Sequence, residues 1–304
     1  MDNLGSPQKV EKIKGVIPPV ITTFDNHGEF DPKRMEDFII FLKPKVMGLF
    51  VCGTYGSGPL MNESERKQVL ETVMKVVGSS IPVIAHVGSS NVDEVSRLAR
   101  HAEQMGAMAV AAVPPFYYAS SYRDEDLKRF FVKLVTTVNI PVFLYNNPKT
   151  AGISIGVDLL AQLHGEGLAG IKDSSFDLLY FYKCKFQLDL HRFKYIIGTE
   201  AFIIPAIPLG AAGSVSGLAN VFPELVVQLY ETTKTGKYGE AFELQEKVNR
   251  LREVQHMAQS IPAVHSSLQF RGVDAGYPRH PYSKVPVQIR EKMKEEINKL
   301  GLLP

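Results

Sequence analysis

Eight times along the chain a short, nearly continuous apolar run is followed by a stretch with helical spacing, and this alternation limits the fold more than any other feature of the sequence. The pairs are Gly15–Phe24 with Asp31–Leu42, Met47–Gly53 with Asn62–Val77, Pro82–Gly88 with Val92–Met105, and Ala107–Val113 with Glu125–Val138. Pro141–Tyr145 with Gly156–Leu163, Leu168–Lys172 with Phe176–Leu190, Tyr195–Gly198 with Ala201–Pro208, and Gly213–Ser216 with Pro223–Thr233 complete the series. Runs that are apolar throughout belong to strands covered on both faces, as in a parallel sheet flanked by helices. The units recur roughly every 20 to 35 residues with no break in composition, which predicts one closed (β/α)8 barrel over 15–235. A doubly wound open sheet is the rival architecture; its first strand usually runs into a glycine-rich phosphate turn, and Thr22-Thr23-Phe24 is not one.

Helical spacing continues over Tyr238–Met257, Ser260–Phe270 and Val287–Leu300, more than a barrel needs. Residues 236–304 are therefore expected as a helical extension on the barrel's side. Residues 1–14 are polar and charged without an apolar signal core, and are expected as a loose tail.

Several function classes drop out on composition. A net charge of +2 with no basic stripe does not favour nucleic acid as a partner. The apolar stretch Ala201–Val215 is broken by Pro205, Pro208 and glycines, so no membrane span is expected. The two cysteines, Cys52 and Cys184, lack CxxC spacing, which argues against a disulfide framework or a zinc site and fits a reducing cytoplasm. Cys52 precedes a candidate site loop, yet a strand cysteine is more often a small buried hydrophobe than a nucleophile. The histidines form no HxH or HExxH pair, which disfavours metal-dependent chemistry, and His86 reads as a satisfied core group.

In a (β/α)8 barrel the chemistry sits where the strands end. The sixth run ends in Lys172, followed by Asp173-Ser174-Ser175, the composition of a helix N-cap. A lysine desolvated there loses its proton near neutral pH and attacks a carbonyl as an amine; the bland reading, a surface lysine, has to be outweighed by the other strand ends. The second run ends Gly53-Thr54-Tyr55-Gly56-Ser57-Gly58-Pro59, a loop whose glycines permit close backbone approach and amides aimed at an anion. The fourth enters Pro114-Pro115-Phe116-Tyr117-Tyr118 and the fifth ends Tyr145-Asn146-Asn147-Pro148. An amine ringed by phenols and a hydroxyl is coherent for carbonyl chemistry. Lys172 would form an imine, Tyr145 would move a proton to and from the substrate oxygen, and Thr54 and Tyr117 would relay it.

Taken together, PPVITTF, GTYGSGP, VPPFYY, PVFLYNNP, GIKDSS, IIGTEA and GSVSGLANVFPE resemble the class I, pyruvate-dependent lyases typified by dihydrodipicolinate synthase, N-acetylneuraminate lyase and 2-keto-3-deoxygluconate aldolase. The resemblance covers nearly the whole chain. It implies a (β/α)8 barrel, a Schiff base on Lys172 with no other cofactor, a proton donor at Tyr145 assisted by Thr54 and Tyr117, a pyruvate pocket lined by Val215 and Ser216, and a homotetramer.

Two departures bear on the substrate. Tyr55 stands where the family usually has a second hydroxyl residue for the pyruvate carboxylate, leaving that carboxylate to the amides of the Gly53–Gly56 loop or to the phenol. Thr150 stands where synthases of dihydrodipicolinate carry an arginine for the semialdehyde carboxylate. Gly58-Pro59 and Gly276-Tyr277-Pro278-Arg279 are similar to archaeal 2-keto-3-deoxygluconate aldolases instead, so the expected reaction joins pyruvate to glyceraldehyde or cleaves the corresponding sugar acid. The alternatives are dihydrodipicolinate synthesis, a dehydratase or hydratase acting on the same imine, and a non-catalytic ligand-binding member of the fold, because fold alone does not fix function.

Overall fold

The structure, a computed structural model, describes residues 7–303. Eight parallel strands lie in the order β1-β8-β7-β6-β5-β4-β3-β2: β1 (Gly15–Val16), β2 (Leu49–Val51), β3 (Val83–His86), β4 (Ala109–Ala112), β5 (Val142–Asn146), β6 (Gly170–Asp173), β7 (Lys194–Ile197) and β8 (Gly213–Ser214). Prolines 18 and 19 have no N–H to give a ladder, so the first apolar run is cut to two ladder residues instead of reaching Phe24. Its carbonyls still close the barrel. Phe50 N–H donates to the Pro18 carbonyl at 3.0 Å, Val20 N–H to the Phe50 carbonyl at 3.0 Å, and Met47 N–H to the Val16 carbonyl at 3.0 Å.

The barrel helices begin where the sequence offers a cap. Asp31, Asn62, Asn91 and Asp177 each accept from first-turn amides, and Asn62 with Glu65 forms a reciprocal capping box. Ahead of the barrel lies α1 (Pro7–Glu11), and the helices after the strands are α2 (Pro32–Leu42), α3 (Glu63–Val77), α4 (Val92–Gln104) and α5 (Asp124–Val135). They continue with α6 (Pro148–Ala151), α7 (Val157–Gly165), α8 (Leu178–Gln187), α9 (Ile203–Ala206) and α10 (Pro223–Lys234). After β7 the sequence reads as one helix, but Pro205 and Pro208 divide it into 3-10 turns around the four residues of α9.

Strand alternation separates two cores. Phe50, Ile84, Ala109, Ala111, Phe143, Tyr145 and Ile196 point into the barrel; Leu49, Val51, Val83, Val110, Leu144, Ile171 and Ile197 pack against the helices. Two expectations are corrected. Met1–Ser6 lie outside the described residues, but α1 is helical rather than loose, and Val10 and Ile13 join the interior core. The extension forms α11 (Tyr238–Gln255), α12 (Ser260–Phe270) and α13 (Val287–Lys299); α11 packs on α10 beside the barrel, and together with α12 it also walls the cavity at the strands' carboxyl ends.

Candidate active site

A cavity of about 690 Å³ opens at the carboxyl ends of the strands, with Lys172 and Tyr145 in its lining. The two residues are direct register partners across β5 and β6, and both face inward. Lys172 is 4% exposed. Its ammonium donates to Ser174 Oγ at 2.6 Å and sits 3.6 Å from the centre of the Tyr145 ring, with the Phe50 ring at 5.7 Å. The neighbouring carboxylate, Asp173, falls on the opposite face of β6, where Asn146 Nδ2, Tyr195 Oη and Ser175 Oγ donate to it at 2.7, 2.8 and 2.8 Å. Burial therefore dominates at Lys172 and pushes its pKa below the ordinary lysine value, which makes loss of the proton easier than in water. Burial acts on Tyr145 in the opposite direction. The charge of Lys172 and the hydrogen bonds from Lys172, Thr54 and Asn147 outweigh it and leave the phenol below its ordinary value.

Tyr145 Oη shares a hydrogen bond with Thr54 Oγ1 at 3.2 Å and accepts one from Asn147 Nδ2 at 2.9 Å. Thr54 is brought there by a tight turn. Cys52 and Ser57 take left-handed φ values of 58° and 54°, and a side chain at Gly58 would collide with the Cys52 carbonyl at 1.9 Å. Cys52 itself is buried with its thiol pushed up to about 11 by desolvation, so it packs and does not react.

The remaining expected residues divide. Tyr55, Thr150 and Val215 line the cavity. Tyr55 is wedged over Gly217, where an added Cβ would stand 2.6 Å from the phenol oxygen, and burial with the charge of Glu200 pushes that phenol up to about 12. Three others do not line the cavity. Ser216 is fully buried and donates to Glu200 Oε2 at 2.7 Å, Gly53 makes room for the Phe50 ring, and the Gly56 carbonyl accepts from Thr22 Oγ1 at 2.7 Å. Gly53 and Gly56 shape the loop; among the described residues no acceptor takes the N–H of Thr54 or Tyr55. Tyr117 is the clear misplacement. It is 75% exposed, stacks edge-on against Tyr118 at 5.0 Å, and has no part in the cavity of its own chain, because the loop after β4 swings outward.

Several lining residues escaped the sequence reading. Ser174 and Asn147 stand two positions beyond Lys172 and Tyr145, where strand alternation would have pointed to them. Glu200 and Arg252 form an ion pair at 3.4 Å, and the Arg252 guanidinium lies 5.6 Å from the ring of Phe176, itself held at φ 58°. Arg252 reaches the cavity from α11 and His256 from the residue that caps it, and the amphipathic pattern carries no sign of that role.

A buried lysine of lowered pKa beside a phenol at the mouth of a (β/α)8 barrel defines the class: a pyruvate-dependent class I lyase. The chain belongs to the dihydrodipicolinate synthetase family, whose model matches residues 12–300. It is 31% identical over 297 residues to a 4-hydroxy-tetrahydrodipicolinate synthase of Methanopyrus kandleri, covering 96% of this chain and 98% of that one. It is 30% identical over 305 residues to a probable 2-dehydro-3-deoxy-D-pentonate aldolase of Escherichia coli, covering 97% and 100%. The solved structure of KD(P)GA from T. tenax superposes with a TM-score of 0.87 at 27% identity, covering 95% of this chain and 99% of that one. No helix among the described residues is long and apolar enough to cross a membrane.

Proposed function

We propose that Lys172 forms an imine with pyruvate and that the resulting enamine is joined to, or released from, an aldehyde, with Tyr145 moving the proton. The amine's electron pair attacks the pyruvate carbonyl, and loss of water leaves a protonated imine. Removal of a C3 proton sends that C–H pair into the C2–C3 bond. The enamine then attacks the aldehyde while Tyr145 protonates the new alkoxide, and cleavage is the reverse. No cofactor beyond Lys172 enters. One observation carries this reading: the only lysine placed inside the barrel among the described residues has no carboxylate partner and lies on the Tyr145 ring at 3.6 Å. Borohydride reduction in the presence of pyruvate should add a reduced pyruvyl group to Lys172; a label on another lysine, or trapping and turnover by Lys172→Arg, would overturn it.

For the second substrate we infer a small polyhydroxy aldehyde, so that the acid cleaved is of the 2-keto-3-deoxygluconate type. The lining beyond Lys172 is mixed and polar, with Thr150, Gln255, Gln259 and Ser260 available to hydroxyl groups, and relatives named as sugar-acid aldolases support it. Arg252 favours a second reading. The sequence predicts a pocket without a guanidinium because Thr150 replaces the usual arginine, yet α11 brings one in; its Nε faces Glu200, at 3.4 Å, and a guanidinium has further N–H groups to give to a substrate carboxylate such as that of aspartate semialdehyde. Comparing kcat/KM for glyceraldehyde and aspartate semialdehyde with pyruvate saturating decides between them; a clear preference for the semialdehyde would assign the synthase reaction. The homotetramer expected from the family bears on Tyr117: since that side chain leaves its own cavity, a relay role requires delivery across a subunit interface.

A further inference from the structure

We propose that Asn147 is the positioning residue for Tyr145: its side-chain amide donates to the phenol oxygen, favours the phenolate, and leaves Thr54 as the one hydroxyl bonded to that oxygen among the described residues. The proposal rests on the imine chemistry above and goes beyond it in naming what tunes the acid-base group. Asn147 is 7% exposed, and its Nδ2 lies 2.9 Å from Tyr145 Oη. Its backbone is fixed at the start of α6. Pro148 follows directly, and the Asn147 carbonyl accepts from the amides of Thr150 and Ala151 at 3.1 and 2.9 Å, the first turn of α6. The side chain is thus aimed inward by a helix start, not by its own flexibility.

An amide nitrogen donates and neither accepts nor releases a proton at ordinary pH, so it differs in kind from a hydroxyl at the same place. A hydroxyl would extend the relay. The amide instead blocks one lone pair of the phenol oxygen and stabilises its charged form, because a donor to an anion is worth more than the same donor to a neutral group. Once Lys172 is held in the imine, the hydroxyl left to share the proton of Tyr145 is that of Thr54 at 3.2 Å. This arrangement also fits the outward course of Tyr117, which supplies no bond to Tyr145 within the chain.

The other groups facing Tyr145 titrate elsewhere. His86, edge-on at 5.7 Å, is pushed down to about 3 by burial and the charge of Arg66, and its two nitrogens face the Cys52 carbonyl and the Val113 N–H. The Tyr55 phenol is pushed up to about 12, and Lys172 is consumed in the imine. His256 also lines the cavity and is lowered by burial, so the limb assigned to Tyr145 is the one that Tyr145→Phe abolishes and His256→Gln leaves in place.

Exchange of pyruvate's methyl protons with D2O, followed by NMR, reads this step without any aldehyde. The phenolate takes a C3 proton from the protonated imine, the C–H pair forms the enamine, and a deuteron returns by the same route. The rate in wild type should rise with pH along an acid limb. Asn147→Leu removes the donor, and Asn147→Asp keeps the shape while presenting only acceptors; both should move that limb upward by about one pH unit or more. Borohydride trapping with pyruvate should persist in both. A uniform fall in rate with the limb unmoved would make Asn147 a packing residue and overturn the proposal, as would trapping without exchange in wild type. Absence of trapping in wild type would instead strike the imine reading itself.

Discussion

At the scale of single residues, the site is marked by one lysine buried without a paired carboxylate among the described residues. The folded pKa of Lys172 lies below the ordinary 10.5, so between that lowered value and 10.5 the unfolded chain binds the more protons, and stability rises with pH through this window. Below the window the full cost of desolvating the charge is present. Lys172→Met should therefore be more stable than wild type at neutral pH, with the gap in melting temperature closing as pH approaches 10; a gap independent of pH would mean that Lys172 is not desolvated. Its partner calls for a kinetic test. Tyr145→Phe keeps the ring that Lys172 rests on and removes only the hydroxyl, so kcat should fall by roughly 10²–10⁴ with little change in melting temperature. A near-normal kcat would remove Tyr145 from the mechanism. Both residues were legible in sequence, since each ends an apolar run. Tyr117 was not, because its motif fixes the residue type but not the direction of the loop that carries it.

At the scale of elements, what the sequence leaves open is which face of a strand end each residue takes. Val215 and Ser216 read as one patch, yet adjacent positions point to opposite sides, so Val215 lines the cavity while Ser216 holds Glu200 from behind. The loop after β2 shows the same division: Thr54 and Tyr55 look inward while Gly53 and Gly56 absorb the turn. The N–H groups of Thr54 and Tyr55 are free of acceptors among the described residues, so under the proposed function the pyruvate carboxylate would have donors that do not depend on the side chain at 55. Tyr55→Thr should accordingly change pyruvate KM by less than about tenfold, under ~1.4 kcal/mol. The space vacated over Gly217 should widen the range of aldehydes accepted. Steady-state kinetics on this variant separates the two effects; activity appearing only in the variant would mark the native chain as a different specialisation of the fold.

At the scale of the whole molecule, the eight-unit repeat announced the barrel because each strand is apolar on both faces, whereas the role of the C-terminal residues was hidden because contacts between distant segments leave no periodic trace. Those contacts are nonetheless specific. After α12 the chain returns to the rim, where Tyr277 N–H donates to the Phe24 carbonyl at 2.9 Å, Arg279 pairs with Glu65 at 2.6 Å and lies over the Phe24 ring, and Tyr282 enters the cavity lining. Gly276 is the hinge that allows this return. Its φ is +67°, and a Cβ there would stand 2.3 Å from the Phe24 carbonyl oxygen, a backbone atom that cannot swing aside. Gly276→Ala should cost about 1–3 kcal/mol through left-handed strain and displacement of the strap, lowering the melting temperature by several degrees. Tyr145 and Lys172 sit on β5 and β6, away from the strap, so borohydride trapping with pyruvate should survive while KM for the aldehyde rises as Tyr282 shifts. Loss of trapping in a variant that remains folded would show instead that the strap supports the strands themselves, and an unchanged aldehyde KM with a lowered melting temperature would show that the rim segment stabilises the barrel without shaping its pocket.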